Sequence, residues 1–187
     1  LVDYIYSLPQ PQRRLSAIAG RLGNDKGPVN LEKRMVPWYG DGEYGHLFDN
    51  EGGDITYFNE NMVYGFGMSF VIQDQAALGP VLSYLLHRIE IALDGTPTVI
   101  VMDEAWSLVN NQIFAPMMAK WLDRMHTNNT MVIFASENID NVSRSELTRQ
   151  IVSKIATQIF LPNAKSAEFS GIYQEIWGLS KEEFTML

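Results

Sequence analysis

The sequence predicts an α/β fold in which a mainly parallel sheet is covered by helices on both faces. Three observations lead there. Thr98-Val99-Ile100-Val101-Met102 is a short continuous apolar run, the pattern of a strand buried on both sides, and Thr130 to Ala135 repeats it. Longer stretches before and between these runs place apolar residues at helical spacing. Strands that alternate with helices pair in parallel, because a parallel connection needs a crossover.

The elements follow in order. A helix is predicted from about Gln12 to Leu22, and Gly23 to Pro28 reads as a loop. From Pro37 to Asp54 turn residues interleave with aromatics, which predicts short hairpins or a surface excursion. Tyr64 to Val71 predicts a strand. Pro80 stands where a first helical turn tolerates proline, and Leu82, Leu85, Ile89 and Leu93 continue that helix to the stop Asp94-Gly95-Thr96-Pro97. Ile113, Phe114, Met117, Met118, Trp121, Leu122 and Met125 form one wide helical stripe. Ser143 and Glu146 have capping-box spacing ahead of a helix through Leu147, Ile151 and Ile155. Ile159-Phe160-Leu161 predicts a further short strand, and Ser180 with Glu183 offers a second capping box. The chain thus divides into an irregular portion, 1–62, and an α/β core with C-terminal helices, 63–187.

Composition narrows the function classes. A chain of 187 residues with 46% hydrophobic and 19% charged residues is one ordinary globular domain or most of one. No apolar run approaches the roughly 20 residues that span a bilayer, and Leu1 to Ser7 lack the pattern of a signal peptide. Membrane association is expected only through partners or further segments. The absence of cysteine excludes disulfides and thiolate metal sites. A net charge of −8 does not advertise nucleic-acid binding, although a local basic patch remains open. His46, His87 and His126 are far apart and show no metal-ligand spacing.

The strongest chemical signal is Val99-Ile100-Val101-Met102-Asp103-Glu104-Ala105-Trp106. Ligands of parallel sheets bind beyond the carboxyl ends of the strands, where these two carboxylates fall. ATP hydrolysis needs one carboxylate to hold Mg²⁺ through water and another to orient the attacking water. Asp103 suits the first task, Glu104 the second. The same string also fits a strand that ends in a solvated acidic turn. The complementary phosphate loop, G-x-x-x-x-G-K-[ST], is not in the sequence. Gly23 to Gly27 brackets a lysine without opening a helix, and Tyr64-Gly65-Phe66-Gly67 lacks a third glycine. This stretch by itself is therefore expected to bind no ATP.

Several blocks together carry a family resemblance. Leu47-Phe48-Asp49-Asn50, Leu82 to Ile89, Asp94 to Pro97, Asp103 to Trp106, Trp121-Leu122 and Ile159 to Asn163 occur in an order that resembles the C-terminal motor domain of the CagE/TrbE/VirB family, the ATPases of bacterial type IV secretion and conjugation. The resemblance runs from about Arg14 to the end. It implies a RecA-like P-loop NTPase fold, left incomplete because the P-loop strand and helix lie upstream in the family. It implies ATP and Mg²⁺ as cofactors of a longer parent, with Asp103 and Glu104 as its Walker B carboxylates. It further implies self-assembly, as a hexamer, contact with other secretion subunits, and a cytoplasmic position at the bacterial inner membrane.

Three positions depart from the family pattern. Relatives carry Ala-Thr-Gln-Ser where this chain has Ala135-Ser136-Glu137-Asn138, so Glu137 stands near the terminal phosphate in place of an amide. Relatives carry Arg-Lys where this chain has His126-Thr127, a place for a residue acting on a neighbouring subunit. Gly67 replaces a frequent aspartate. Arg144 and Arg149 are the other candidates for reaching a neighbour's nucleotide, against the plain alternative of a solvated helix face. A catalytically degenerate scaffold and a DNA-translocating motor of the HerA/FtsK type are the alternatives within this fold.

Overall fold

A computed structural model describes residues 1–22, 30–50, 58, 63–104, 114–143, 148 and 151–187. The chain divides into two compact units, Leu1–Asn61 and Met62–Leu187.

The first unit is built from short helical turns. Helix α1 spans Val2–Ser7, α2 Leu15–Ala19, α3 Leu31–Met35 and α4 Gly45–Phe48. The predicted helix from Gln12 shrinks to α2, because Arg14 is extended and breaks it from a 3-10 turn at Gln10–Gln12. The hairpins expected after Pro37 do not form among the described residues. Trp38 instead stacks on Tyr44 at 4.7 Å and meets Phe48 edge-on at 5.4 Å, so the aromatics gather on one side of a turn. That turn needs glycine at position 45, where a β-carbon would sit 2.1 Å from the Gly40 carbonyl oxygen. Asp49 ties the unit together. Its carboxylate accepts the Ser16 N–H at 3.0 Å, the Ser16 hydroxyl at 3.1 Å and the Gly40 N–H at 3.0 Å. Burial opposes its ionisation, yet these bonds and the charge of Arg14 together hold its pKa below the ordinary carboxylate value.

The second unit holds the sheet. Helices α5 (Ser69–Gln73) and α6 (Gln75–Ala92) precede strand β1 (Thr98–Met102). Helix α7 (Phe114–Thr127) then leads to strand β2 (Thr130–Phe134), which is followed by α8 (Ile139–Ser143). Strands β1 and β2 pair in parallel, with Thr98 opposite Thr130 and Met102 opposite Phe134. The core gathers Leu78, Leu82 and Leu86 of α6, Met118, Trp121 and Met125 of α7, and Ile151. Ile100, Met102, Val132 and Phe134 pack against it from one sheet face. The chain closes with a π turn at Ile172–Ile176 and helix α9 (Lys181–Phe184), where the Ser180–Glu183 capping box is formed.

Four expectations for this unit are corrected. Tyr64 to Val71 is not a strand; α5 begins at Ser69, and Met68, Val71 and Ile72 reach the core at helical spacing. Glycines at 65 and 67 offer a strand no side chain to pack. Pro80 is inside α6 rather than in its first turn, because Asp74 caps the Ala76 and Ala77 N–H groups and starts the helix earlier. The proline removes a bond to the Ala76 carbonyl, and both residues are exposed. Ile159-Phe160-Leu161 belongs to no strand. Phe160 turns inward to Tyr173 and Trp177, at 5.6 and 5.8 Å, while Ile159 and Leu161 stay exposed. Finally, the two strands are not buried on both faces. Val99, Val101, Met131 and Ile133 are exposed, since the described helices of the core cover only the other side. The observed architecture is a mixed helical unit with a two-stranded parallel sheet, compatible with the α/β class.

Candidate functional site

Parallel pairing brings the carboxyl ends of β1 and β2 side by side. The Ala135 N–H donates to the Met102 carbonyl at 2.9 Å, one step beyond the last register pair. Asp103 and Glu104 therefore leave β1 beside the Ser136-Glu137 turn that leaves β2. The Glu137 N–H donates to Glu104 Oε1 across a long 3.4 Å. All three acidic residues are exposed.

The backbone of this edge is specialised. Glu104 has φ 51°, a left-handed conformation that costs a non-glycine residue about 1–2 kcal/mol. Its N–H is taken by the carboxylate of the preceding residue, Asp103, at 3.1 Å, a local bond that offsets part of that cost. On the β2 side, Asn138 Oδ1 accepts the Asp140 N–H at 3.0 Å and Ser136 Oγ accepts the Asn138 N–H at 3.3 Å. Two side-chain-stapled turns thus present Glu104 and Glu137 at one edge. Apolar runs made this edge foreseeable; the left-handed Glu104 and the stapling by Asp103, Ser136 and Asn138 left no signal that periodicity detects.

The other candidates lie elsewhere. His126 is exposed in the last turn of α7, just before β2 begins, and so at the opposite end of the strands from the carboxylates. Arg144, Arg149 and Trp106 lie outside the described residues. Among the described residues no three His, Asp or Glu side chains converge as a metal cluster. Asp103 and Glu104 are exposed oxygen donors, the chemistry that would hold magnesium through water. No described helix is long and apolar enough to cross a membrane.

Asp103, Glu104 and Glu137 stand at the shared carboxyl end of two parallel strands, the end at which α/β sheets commonly bind ligands. Comparison with known proteins gives the family. The chain is 27% identical to the type IV secretion system protein VirB4 of Bartonella henselae over 186 residues, all of this chain and 23% of that protein. It is 33% identical over 133 residues to a probable conjugal transfer protein, TrbE, of Sinorhizobium fredii, covering 68% of this chain and 19% of that one. The conjugal transfer protein TrbE of Rhizobium radiobacter matches at 31% over 133 residues, 68% of this chain and 15% of the relative. No family model matches the chain. The chain belongs to the family of the VirB4 and TrbE proteins, and it spans less than a quarter of the length of these relatives.

Proposed function

We propose that this chain is the carboxylate-bearing part of an ATPase that drives type IV secretion or conjugal transfer, with Asp103 serving magnesium and Glu104 orienting the attacking water. The supporting observation is the edge geometry: Asp103, Glu104 and Glu137 leave two parallel strands at the same end, with the Glu137 N–H bonded to Glu104. Bound Mg-ATP supplies the scissile phosphoryl bond and the metal charge that neutralises it. The chain's own residues do the rest. Asp103 accepts the Glu104 N–H through one carboxylate oxygen, and its second oxygen would hold magnesium through water. Glu104, held in its left-handed conformation, accepts a hydrogen bond from the water that attacks. The Glu137 N–H reaches the Glu104 carboxylate at the long end of hydrogen-bond distance, which biases its orientation. The Glu137 carboxylate adds negative charge to the same edge, which weakens phosphate binding there.

The sequence has no phosphate loop, so the intact protein is the species to assay. In that setting the partners are other secretion subunits and further copies of the protein, assembled at the cytoplasmic side of the inner membrane. Glu104→Gln keeps the side-chain shape and removes the basic oxygen. It is expected to lower steady-state ATP turnover by about 100-fold or more while ATP still binds. Turnover within a factor of about two of the unsubstituted protein overturns this assignment.

A further inference from the structure

Helices α6 and α7 lie against one another in the core, and above that contact they leave a groove of about 200 Å³. Each wall is a single helix face at i, i+3, i+4 and i+7 spacing. Helix α6 contributes Ser83, Leu86, His87 and Glu90. Helix α7 contributes Met117, Lys120, Trp121 and Arg124. The floor is apolar: Leu86 and Trp121 are buried, and Met117 stays 38% exposed. The rim carries two cations, exposed Lys120 and Arg124, one carboxylate, Glu90, and the exposed imidazole of His87.

The charges are arranged unequally. Arg124 Nη1 donates to Glu90 Oε1 at 2.6 Å, which uses one corner of its guanidinium fork and holds the rest in place. Lys120 makes no ion pair with the described residues. A chain of net charge −8 thus carries an apolar-floored groove whose cations, Lys120 and Arg124, outnumber its one carboxylate, Glu90. The floor also holds a buried donor, Trp121 Nε1, without an acceptor among the described residues.

We propose that this groove docks an acidic, amphipathic segment of a partner protein. Carboxylates of the segment pair with Lys120 and the remaining N–H groups of Arg124, and an apolar side chain between them rests on Met117 and Trp121. Helical spacing on both walls suits a segment that presents anchors one turn apart. A polynucleotide fits poorly: Glu90 interrupts the row of cations that a phosphate backbone needs, and the floor offers it nothing to stack on but a buried indole.

The test uses the intact protein and a fluorescein-labelled synthetic peptide of about twelve residues, with leucines at helical spacing and glutamates between them. Its controls are the same peptide with lysine for glutamate and a single-stranded DNA of equal charge. The glutamate peptide is expected to bind at least about tenfold more tightly than either control. Lys120→Glu combined with His87→Glu should weaken it by about tenfold or more, with the thermal midpoint little changed because both side chains are exposed. Should that variant unfold, the milder Lys120→Ala is expected to weaken binding severalfold, and a photo-crosslinking form of the peptide should label the 117–124 segment. No binding of the glutamate peptide, equal binding of the lysine peptide, DNA binding as tight, unchanged affinity in a folded variant, or crosslinks confined to other segments would each overturn the proposal.

Discussion

The two faces of the β1–β2 pair share one composition and have different surroundings. On one face Ile100, Met102, Val132 and Phe134 pack onto the α6–α7 core, where Met118 is fully buried. On the other, Val99 lies opposite Met131 and Val101 opposite Ile133, an apolar patch whose members are 41–63% exposed. Strand sequence therefore records what a face is made to contact, whereas burial records what this stretch of chain provides. Four neighbouring apolar side chains on a bare sheet face are a surface that further protein usually covers.

The largest expected effect lies on the covered side. Met118→Ala removes a side chain with no exposed surface and should cost about 2–5 kcal/mol in urea unfolding. A cost below about 1 kcal/mol would mean that the core repacks freely and that the two faces differ less than they look.

Between the extremes stands a polar contact in the other unit. Asp49→Asn removes charge from an acceptor of three hydrogen bonds and should cost about 1 kcal/mol. The pH dependence has a definite sign. Because the folded pKa of Asp49 is lowered, its stabilisation is fully present above the unfolded value near 4 and is lost as pH falls through the lower folded value. Amide exchange of Ser16 and Gly40 should lose protection over that acid range in the parent, and Asp49→Asn should flatten the dependence.

The smallest effect belongs to the bare face. Val101→Thr should change stability by less than about 0.5 kcal/mol when this stretch is all that contacts it. If the same substitution in the intact protein costs about 1 kcal/mol or more, that face is covered there, and the comparison becomes a map of where the rest of the protein sits.

Much of this was legible in the sequence for identifiable reasons. Val99 to Met102 and Met131 to Phe134 are continuous apolar runs separated by a helical stripe, so both the strands and their parallel pairing could be read. That reading put Asp103 and Glu137 at one edge, as observed. The one-sided burial was not legible, because an apolar run does not say whether its second face is covered. Tyr64 to Val71 reads as a strand in sequence, while the spacing of Met68, Val71 and Ile72 held the helical answer. The groove was hidden for another reason. Each wall is an ordinary amphipathic helix, and only the α6–α7 pairing turns two half-exposed stripes into one concave surface.

The crossover between β1 and β2 also has a kinetic consequence. Glu104 and Glu137 are 33 positions apart in sequence, and their contact exists only when α7 has folded back and the strands have aligned. Local helices can form early, but this pairing must close a loop of that length first. The acidic edge therefore exists only with the β1–β2 pairing, and loss of that pairing would part the two carboxylates even where helices persist.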